Sequence, residues 1–276
     1  MMTISEADIK RQVRGFYDQI GWQQISEGMY QNARYEDLRP VAREYVHRSH
    51  LRVNRYLKPR GHLLLDAGSG PIQYPEYLTY SEGYDYRVCL DISIQALCEA
   101  RHRIGAYGLF VVADIANLPF KADVFDGIVS LHAIQHLPAD EHRQTYAELY
   151  RVLKPASIAV VVNGWMQSRL TGWLENIIVF FNRRRRGQMA KETGEEFGKG
   201  TFVRKTNARR LRAQLAGAVP IEIYVWRSLS VRFLRLFVRP RLGGKAFLRL
   251  VYWLEERFPR FLGENGQYPL IVVHKT

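Results

Sequence analysis

This chain of 276 residues contains seven short runs of apolar residues. Five lie between residues 63 and 163, with the sequences LLLDAGSG, RVCLDIS, LFVVADI, FDGIVSLHAI and SIAVVVN, and two later runs are IEIYVW and YPLIVVHK. Runs of this length, rich in Val, Ile and Leu and without polar alternation, are typical of strands that are buried on both faces. The chain is therefore expected to form a sheet that is covered on both sides.

The segments between these runs predict helices. Apolar residues recur at helical spacing over 93–105, a helix is predicted to run from 140 to Pro155, and residues 206–218 have the pattern of a capped helix. Strands that alternate with helices predict an α/β fold, a doubly wound and mostly parallel sheet with right-handed crossovers.

The regular alternation is interrupted in three places. Residues 1–58 read mostly as helix, with Ser5 and Asp8 spaced as a capping box. Residues 165–204 contain an apolar helix candidate followed by four arginines at 183–186, and residues 229–262 are basic, aromatic and helical in pattern. We predict an N-terminal helical cap at 1–58 and a main domain at 59–276, with cap insertions at about 164–204 and 229–266.

Composition indicates the cellular compartment in which we expect the protein. No apolar run approaches the roughly 18–20 residues of a membrane span, and the first residues lack the apolar core of a signal peptide. The two cysteines, Cys89 and Cys98, are too few for a disulfide framework or a four-cysteine zinc site. We therefore expect a cytoplasmic protein with reduced thiols.

The net charge of +13 is unevenly distributed. Residues 1–162 carry 18 basic and 19 acidic residues, whereas residues 163–276 carry 22 and 8. This asymmetry favours an anionic partner for the second part of the chain, although a solvated basic face would look the same.

The loop after the first apolar run limits the choice of ligand. It contains Asp66, Gly68 and Gly70 but lacks the Gly-Lys-Ser/Thr of a P-loop. A dinucleotide loop needs a third small residue where Gln73 stands, and its pyrophosphate would face the negative charge of Asp66. A cationic ligand such as S-adenosylmethionine suits an aspartate at this position.

Acidic residues also end the next two predicted strands. Asp91 is placed to accept hydrogen bonds from both ribose hydroxyls, and Asp114 to accept one from an adenine amino group. Because ligands of open α/β sheets bind at the carboxyl ends of the strands, all three acids are expected at one site.

Residues 63–155 resemble the class I S-adenosylmethionine-dependent methyltransferases, on the stretches LLLDAGSG, CLDIS, ADIANLPF, FDGIVSLHAIQHL and LYRVLKP. Within that class they are similar to enzymes of small molecules and lipids, such as quinone and sterol methyltransferases. The resemblance implies a Rossmann-like, seven-stranded sheet with an antiparallel last strand. It also implies cofactor contacts from Asp66, Gly68, Ser69, Gly70, Asp91, Ile92, Asp114, Ile115 and Leu131. One departure is Ile72, which stands where the family has a third glycine.

Two histidines follow the fourth strand and are candidates for catalysis. His132 or His136 could act as the base that a hydroxyl or carbon acceptor requires during methyl transfer. Their spacing also suits a metal on one helix face, but no third ligand lies nearby in the sequence, and ordinary packing is an alternative. Aromatic residues that could line an acceptor pocket are Tyr17, Trp22, Tyr30 and Tyr74.

The basic residues of the C-terminal part indicate the chemical class of the methyl acceptor. Arg232, Arg235 and Arg239 share one predicted helical face, and arginines interleaved with Trp, Phe and Leu suit an anionic membrane surface or a hydrophobic, phosphate-bearing acceptor. We predict a methyltransferase of a hydrophobic small molecule or lipid-like acceptor. RNA or another nucleic acid is the alternative, although the fourth strand lacks the Asn/Asp-Pro-Pro-Tyr/Phe motif. A non-catalytic subunit is disfavoured by the three retained acids.

Overall fold

The computed structural model describes residues 6–21, 24–26, 29–30, 36–176 and 202–276. Two short strands, β1 (Gln24–Ser26) and β2 (Met29–Tyr30), pair antiparallel. Seven further strands form the main sheet: β3 (Gly61–Ala67), β4 (Tyr84–Asp91), β5 (Gly108–Val112), β6 (Phe125–Leu131), β7 (Leu153–Val162), β8 (Ile221–Arg227) and β9 (Tyr268–His274). Their order is β5-β4-β3-β6-β7-β9-β8, and β9 runs antiparallel to both of its neighbours. The predicted fold class is confirmed.

Helices connect these strands. They are α1 (Glu6–Phe16), α2 (Arg43–Leu51), α3 (Ile94–Ile104), α4 (Glu141–Val152), α5 (Ala208–Leu215), α6 (Val231–Phe237), α7 (Gly244–Arg257) and α8 (Pro259–Asn265). Shorter helical segments are a π-turn at Tyr17–Gly21 and 3₁₀ turns at Arg52–Arg55, Pro75–Ser81, Gly105–Tyr107, Ile134–His136 and Pro240–Leu242. No helix in these described stretches combines the length and apolarity that crossing a bilayer requires.

The structure corrects one of the predicted helix limits. Helix α4 ends at Val152 rather than at Pro155, because strand β7 already begins at Leu153 and contains the proline. Residues 1–58, predicted to be mostly helical, contain helices α1 and α2 and two helical turns, with the short strands β1 and β2 between them. Ser5 of the predicted capping box lies outside the described residues, as do the arginines at 183–186 and most of the apolar helix candidate.

The core occupies both faces of the sheet. On β3, consecutive Leu64 and Leu65 are fully buried on opposite faces, as the two-residue period of a strand dictates. A third cluster joins α2, α6 and α7 around Tyr45, Leu234 and Leu248. The three segments that interrupt the strand–helix alternation, 1–58, 165–204 and 229–262, therefore pack against one another in this third cluster, in the parts that are described.

Strand order reverses at β3, which pairs with β4 on one side and β6 on the other. The chain leaves β3 for one half of the sheet and returns to β6 for the other half. Such a switch point opens a crevice at the carboxyl ends of the strands, where ligands of this architecture bind.

Candidate active site

A cavity of about 1040 Å³ lies at this switch point. It is lined by every residue that the sequence analysis assigned to cofactor or catalysis: Asp66, Gly68, Ser69, Gly70, Asp91, Ile92, Asp114, Ile115, Leu131, His132 and His136. The fold therefore brings the predicted set together, while the individual roles of these residues remain predictions.

The loop after β3 is held in a left-handed path. Gly68 and Gly70 have φ of +77° and +54°, and the amide of Gly68 donates to the carbonyl of Leu90 at 2.7 Å. A Cβ on Gly68 would lie 2.4 Å from the Cβ of Ala133. Glycine is required at position 68 by both backbone conformation and space.

Ile72 keeps the same left-handed conformation without being a glycine. Its φ is +54°, which is unfavourable for a β-branched residue. The side chain is fully buried in the core beside α3, and its carbonyl accepts a hydrogen bond from Arg103 at 2.8 Å. Burial of the side chain offsets the strain, which explains why isoleucine can stand where a glycine was expected.

Gly68→Ala is expected to destabilise the protein and to weaken cofactor binding, because the new methyl group collides with Ala133. Gly243→Ala is the matched control, since Gly243 is left-handed, with φ of +72° and ψ of +23°, but has no atom within 4 Å of the added Cβ. The control should lose only about 1–2 kcal/mol of unfolding free energy through backbone strain. Urea unfolding and calorimetric titration measure both effects, and equal losses in the two variants would contradict the steric argument.

Asp66 is already paired within the protein. Strand β4 carries Arg87, which is buried and donates from Nε and Nη2 to Oδ2 of Asp66. Burial raises the pKa of Asp66, and Arg87 opposes that rise. The sequence argument treated this carboxylate as an unbalanced charge awaiting a cation, whereas Arg87 supplies a counter-charge before any ligand binds.

Asp91 organises the tip of β4. Its two oxygens accept the amides of Gly70 and Ser93, each at 2.9 Å. Burial raises the pKa of Asp91 to about 6. Each carboxylate oxygen can accept more than one hydrogen bond, so the group retains capacity toward the cavity.

Asp114 is engaged by the N-terminal helix. Lys10 of α1 pairs with Oδ2 of Asp114 and lies 2.7 Å from Oε1 of Glu141. The other oxygen, Oδ1, accepts the amide of Ala116 at 2.9 Å. Lys10 thus fastens α1 against the strand end that was predicted to contact adenine, and its partners are too distant in sequence for local reasoning to have found them.

His132 lies in an aromatic corner of the cavity. It packs edge-on against Trp226 and Tyr268, with ring centroids 5.2 and 5.7 Å apart. Burial, with a smaller contribution from the charge of Arg227, lowers the pKa of His132 to about 3. The imidazole is therefore neutral near pH 7 and is a weak proton acceptor, which suits contact with an acceptor better than strong base catalysis.

His136 has a defined tautomer. Its Nδ1 lies 2.8 Å from the carbonyl of Phe202, which can only accept, so Nδ1 carries the proton. Its Nε2 then accepts from the hydroxyl of Tyr17 at 3.0 Å. Burial lowers the pKa of His136 as well. No three His, Cys, Asp or Glu side chains within the described residues are grouped as metal ligands.

Of the predicted aromatic residues, Tyr17 and Tyr74 line the cavity. The placement of Trp22 and of the Tyr30 side chain lies outside what the structure describes. On α6, Arg232 and Arg235 line the cavity, but Arg239 follows the helix and does not. The prediction of one shared arginine face is therefore wrong for Arg239.

Several cavity residues were missed from the sequence. Trp226 and Arg227 end β8, and Arg227 is buried in an ion pair with Glu36 at 2.6 Å. A charged residue at the end of an apolar strand was a usable signal for Arg227. Lys205 also lines the cavity, but nothing in its local sequence distinguishes it.

Comparison with known proteins agrees with this arrangement. Residues 65–161 match the family described as "Methyltransferase domain". The methyltransferase GfsG of Streptomyces halstedii is 31% identical over 124 residues, which cover 42% of this chain and 44% of that protein. The human protein named "Probable tRNA methyltransferase 9B" is 26% identical over 169 residues, covering 58% of this chain and 35% of that protein. The match spans less than half the length of either relative.

Among solved structures, a geranyl diphosphate C-methyltransferase from Streptomyces coelicolor A3(2), bound to S-adenosyl-L-homocysteine, has the same fold. The TM-score is 0.58 at 15% identity, with 97% of this chain and 98% of that chain covered. Residues 65–161 thus match a methyltransferase domain, in agreement with the enzyme class that the sequence predicts, and the shared architecture confirms the predicted fold.

Proposed function

We propose that the whole protein is an S-adenosylmethionine-dependent methyltransferase of a hydrophobic small molecule or lipid-like acceptor that carries an anionic group. The observation that carries this proposal is the division of the cavity. Carboxylates of Asp66, Asp91 and Asp114 line its strand-end side, whereas the rest is lined mainly by apolar and aromatic side chains and by cations. Two glutamates also lie there, but Glu36 is paired with Arg227 and Glu175 accepts a hydrogen bond from Ser230. A cationic cofactor would lie against the carboxylates, and the anionic group of an acceptor would lie against the cations.

The strand-end side fits the cofactor. The path of Gly68 leaves no room for a Cβ, and Asp91 retains hydrogen-bonding capacity toward the cavity. Bound S-adenosylmethionine supplies an electrophilic methyl group on a positively charged sulfur. Asp91 would hold the ribose, and Asp66, still balanced by Arg87, would contact the amino-acid end.

The acceptor side combines apolar surface with unbalanced cations. Met166, Leu236, Trp226 and Tyr268 contribute apolar surface. The described part of the chain offers no acidic partner to Lys205, and burial followed by the charge of Arg232 lowers the pKa of Lys205. An anionic group between these two cations would remove their mutual repulsion, because opposite charge favours the protonated lysine.

The protein's own residues would mainly position and desolvate the acceptor. Neutral His132, beside Trp226, can orient an acceptor hydroxyl, and the Tyr17–His136 pair lines the same cavity. Transfer of a methyl group between well-aligned atoms gains much of its rate from such positioning.

RNA is the second candidate acceptor. It is favoured by the relative named for tRNA methylation and by the excess of basic residues after position 162. An RNA substrate would need to place an unstacked base within the cavity, and cations outside the cavity would bind its backbone.

Labelled S-adenosylmethionine, offered with lipid and RNA fractions of cells, separates these candidates by the fraction that acquires label. Lys205→Met is then expected to raise the KM for the labelled acceptor ~10- to 100-fold, since a charge-assisted hydrogen bond of about 1.5–3 kcal/mol is lost. Cofactor affinity should not change. Exposed Arg209 on α5 provides the control, and Arg209→Met should leave KM unaltered. Label in RNA alone would overturn the proposed acceptor class.

A further inference from the structure

Helix α7 uses one of its faces entirely for packing. Gly244, Leu248, Tyr252 and Glu255 are buried at helical spacing. The Tyr252 ring lies beneath the guanidinium group of Arg52 at 4.3 Å, and Glu255 lies 2.7 Å from the same arginine. This face anchors α7 to the helix and 3₁₀ turn at 43–55.

The opposite face is also apolar. Phe247, Leu250 and Trp253 are spaced by three residues, and their side chains are 41%, 54% and 58% exposed. At about 100° per residue they lie roughly opposite the buried face. A surface helix that buries only one face is expected to carry polar residues on the opposite face. We call these three side chains the outward face of α7.

Exposed apolar side chains continue at both ends of the helix. Leu242 precedes it with 80% exposure, and Phe258 and Phe261 follow with 49% and 58%. Isolated exposed hydrophobic residues are ordinary on protein surfaces, but a succession along one helix and its flanks indicates an interaction site.

Basic residues surround this apolar surface. Residues 239–262 contain six Arg or Lys and two Glu, and both glutamates are already paired with arginines at 52 and 55. Within the described residues, Arg241, Lys245 and Arg257 have no acidic partner. The surface therefore presents uncompensated positive charge beside exposed aromatic and aliphatic groups.

We propose that the outward face of α7 docks on an anionic lipid bilayer. Helices that lie in the membrane interface bury Trp, Phe and Leu at the acyl boundary while Lys and Arg meet acidic headgroups. RNA would be attracted by the cations, but its phosphate backbone would not bury the exposed aliphatic side chains of Leu242 and Leu250. A second copy of the chain would bring like charges together around the same apolar face.

The docking face adjoins the cavity. Phe247 stacks on Phe233 of α6 with centroids 6.4 Å apart, and α6 contributes Arg232 and Arg235 to the cavity wall. A membrane-bound acceptor would thus have a short path inward. Vesicle binding does not depend on the proposed function, because it needs neither cofactor nor acceptor.

Vesicle flotation tests the proposal with the full chain, using phosphatidylcholine vesicles with and without phosphatidylserine. We expect binding to the vesicles that contain phosphatidylserine, and at least ~10-fold weaker partitioning of the variant Leu250→Ser/Trp253→Ser. The matched control is Leu109→Ser/Val112→Ser on edge strand β5, where the replaced side chains are 45% and 49% exposed. The control should bind as the unaltered protein does, and retained cofactor binding would report that both variants fold.

Three results would overturn membrane docking. The first is an absence of binding to acidic vesicles, or an equal loss in both variants. The second is binding to RNA that the outward-face variant loses while vesicle binding is absent. The third is a dimer in sedimentation that this variant dissociates, again without vesicle binding.

Discussion

Asp91→Ala is expected to weaken S-adenosylmethionine binding by at least ~100-fold. The carboxylate would lose two charge-assisted hydrogen bonds to the ribose, each worth about 1.5–3 kcal/mol, and about 1.4 kcal/mol corresponds to a factor of ten. It would also release the amides of Gly70 and Ser93, which it holds at 2.9 Å. Isothermal titration calorimetry measures the change.

Asp85→Ala is the control for this variant, because Asp85 belongs to the same strand but its side chain is 69% exposed. Its cofactor affinity should equal that of the unaltered protein. Unchanged binding in Asp91→Ala would remove the ribose assignment.

The pH dependence of binding provides a second readout of Asp91. Burial raises its pKa to about 6, with Asp66 contributing, while the amides of Ser93 and Gly70 oppose the rise. The ionised form is the better acceptor, so affinity should fall as pH decreases through that value, roughly tenfold for each pH unit below it. The pKa of His132 is lowered to about 3, which keeps its titration out of this window. Asp91→Asn should abolish this pH dependence.

Arg87→Ala is expected to lower the free energy of unfolding by about 3–5 kcal/mol, because it leaves the Asp66 carboxylate buried without a counter-charge. Both side chains are nearly inaccessible, at 1% and 2% exposure. Arg87 also donates from Nη1 to the carbonyl of Tyr77 at 2.5 Å, so this buried acceptor would be left unpaired as well. Urea denaturation followed by circular dichroism gives the value.

Arg212→Ala serves as the comparison for an exposed ion pair. Arg212 and Glu264 form a surface pair with side chains 47% and 40% exposed, and its loss should cost no more than about 1 kcal/mol. Replacing both buried partners, as in Arg87→Met/Asp66→Leu, should recover part of the stability lost in Arg87→Ala. Similar losses in Arg87→Ala and Arg212→Ala would show that the buried pair is not structurally important.

The sequence by itself determined the sheet. Each strand of the main sheet is encoded by a short apolar run, and the helices between these strands follow from apolar spacing and caps, as in the predicted capped helix over 206–218, where Asn207 caps α5. Because parallel strands with crossover helices direct all their carboxyl ends to one edge, the positions of Asp66, Asp91 and Asp114 in the sequence sufficed to predict that they share a site.

The electrostatic state of that site was decided by the tertiary structure. Arg87 balances Asp66, and Lys10 reaches Asp114 across 104 positions of sequence, while Tyr17 and His136 meet across 119. The strain at Ile72 is acceptable only because its side chain fills the core. Periodicity and turn signals act over a few residues and can be read locally, whereas the pairing and burial of charges depend on which distant segments pack together.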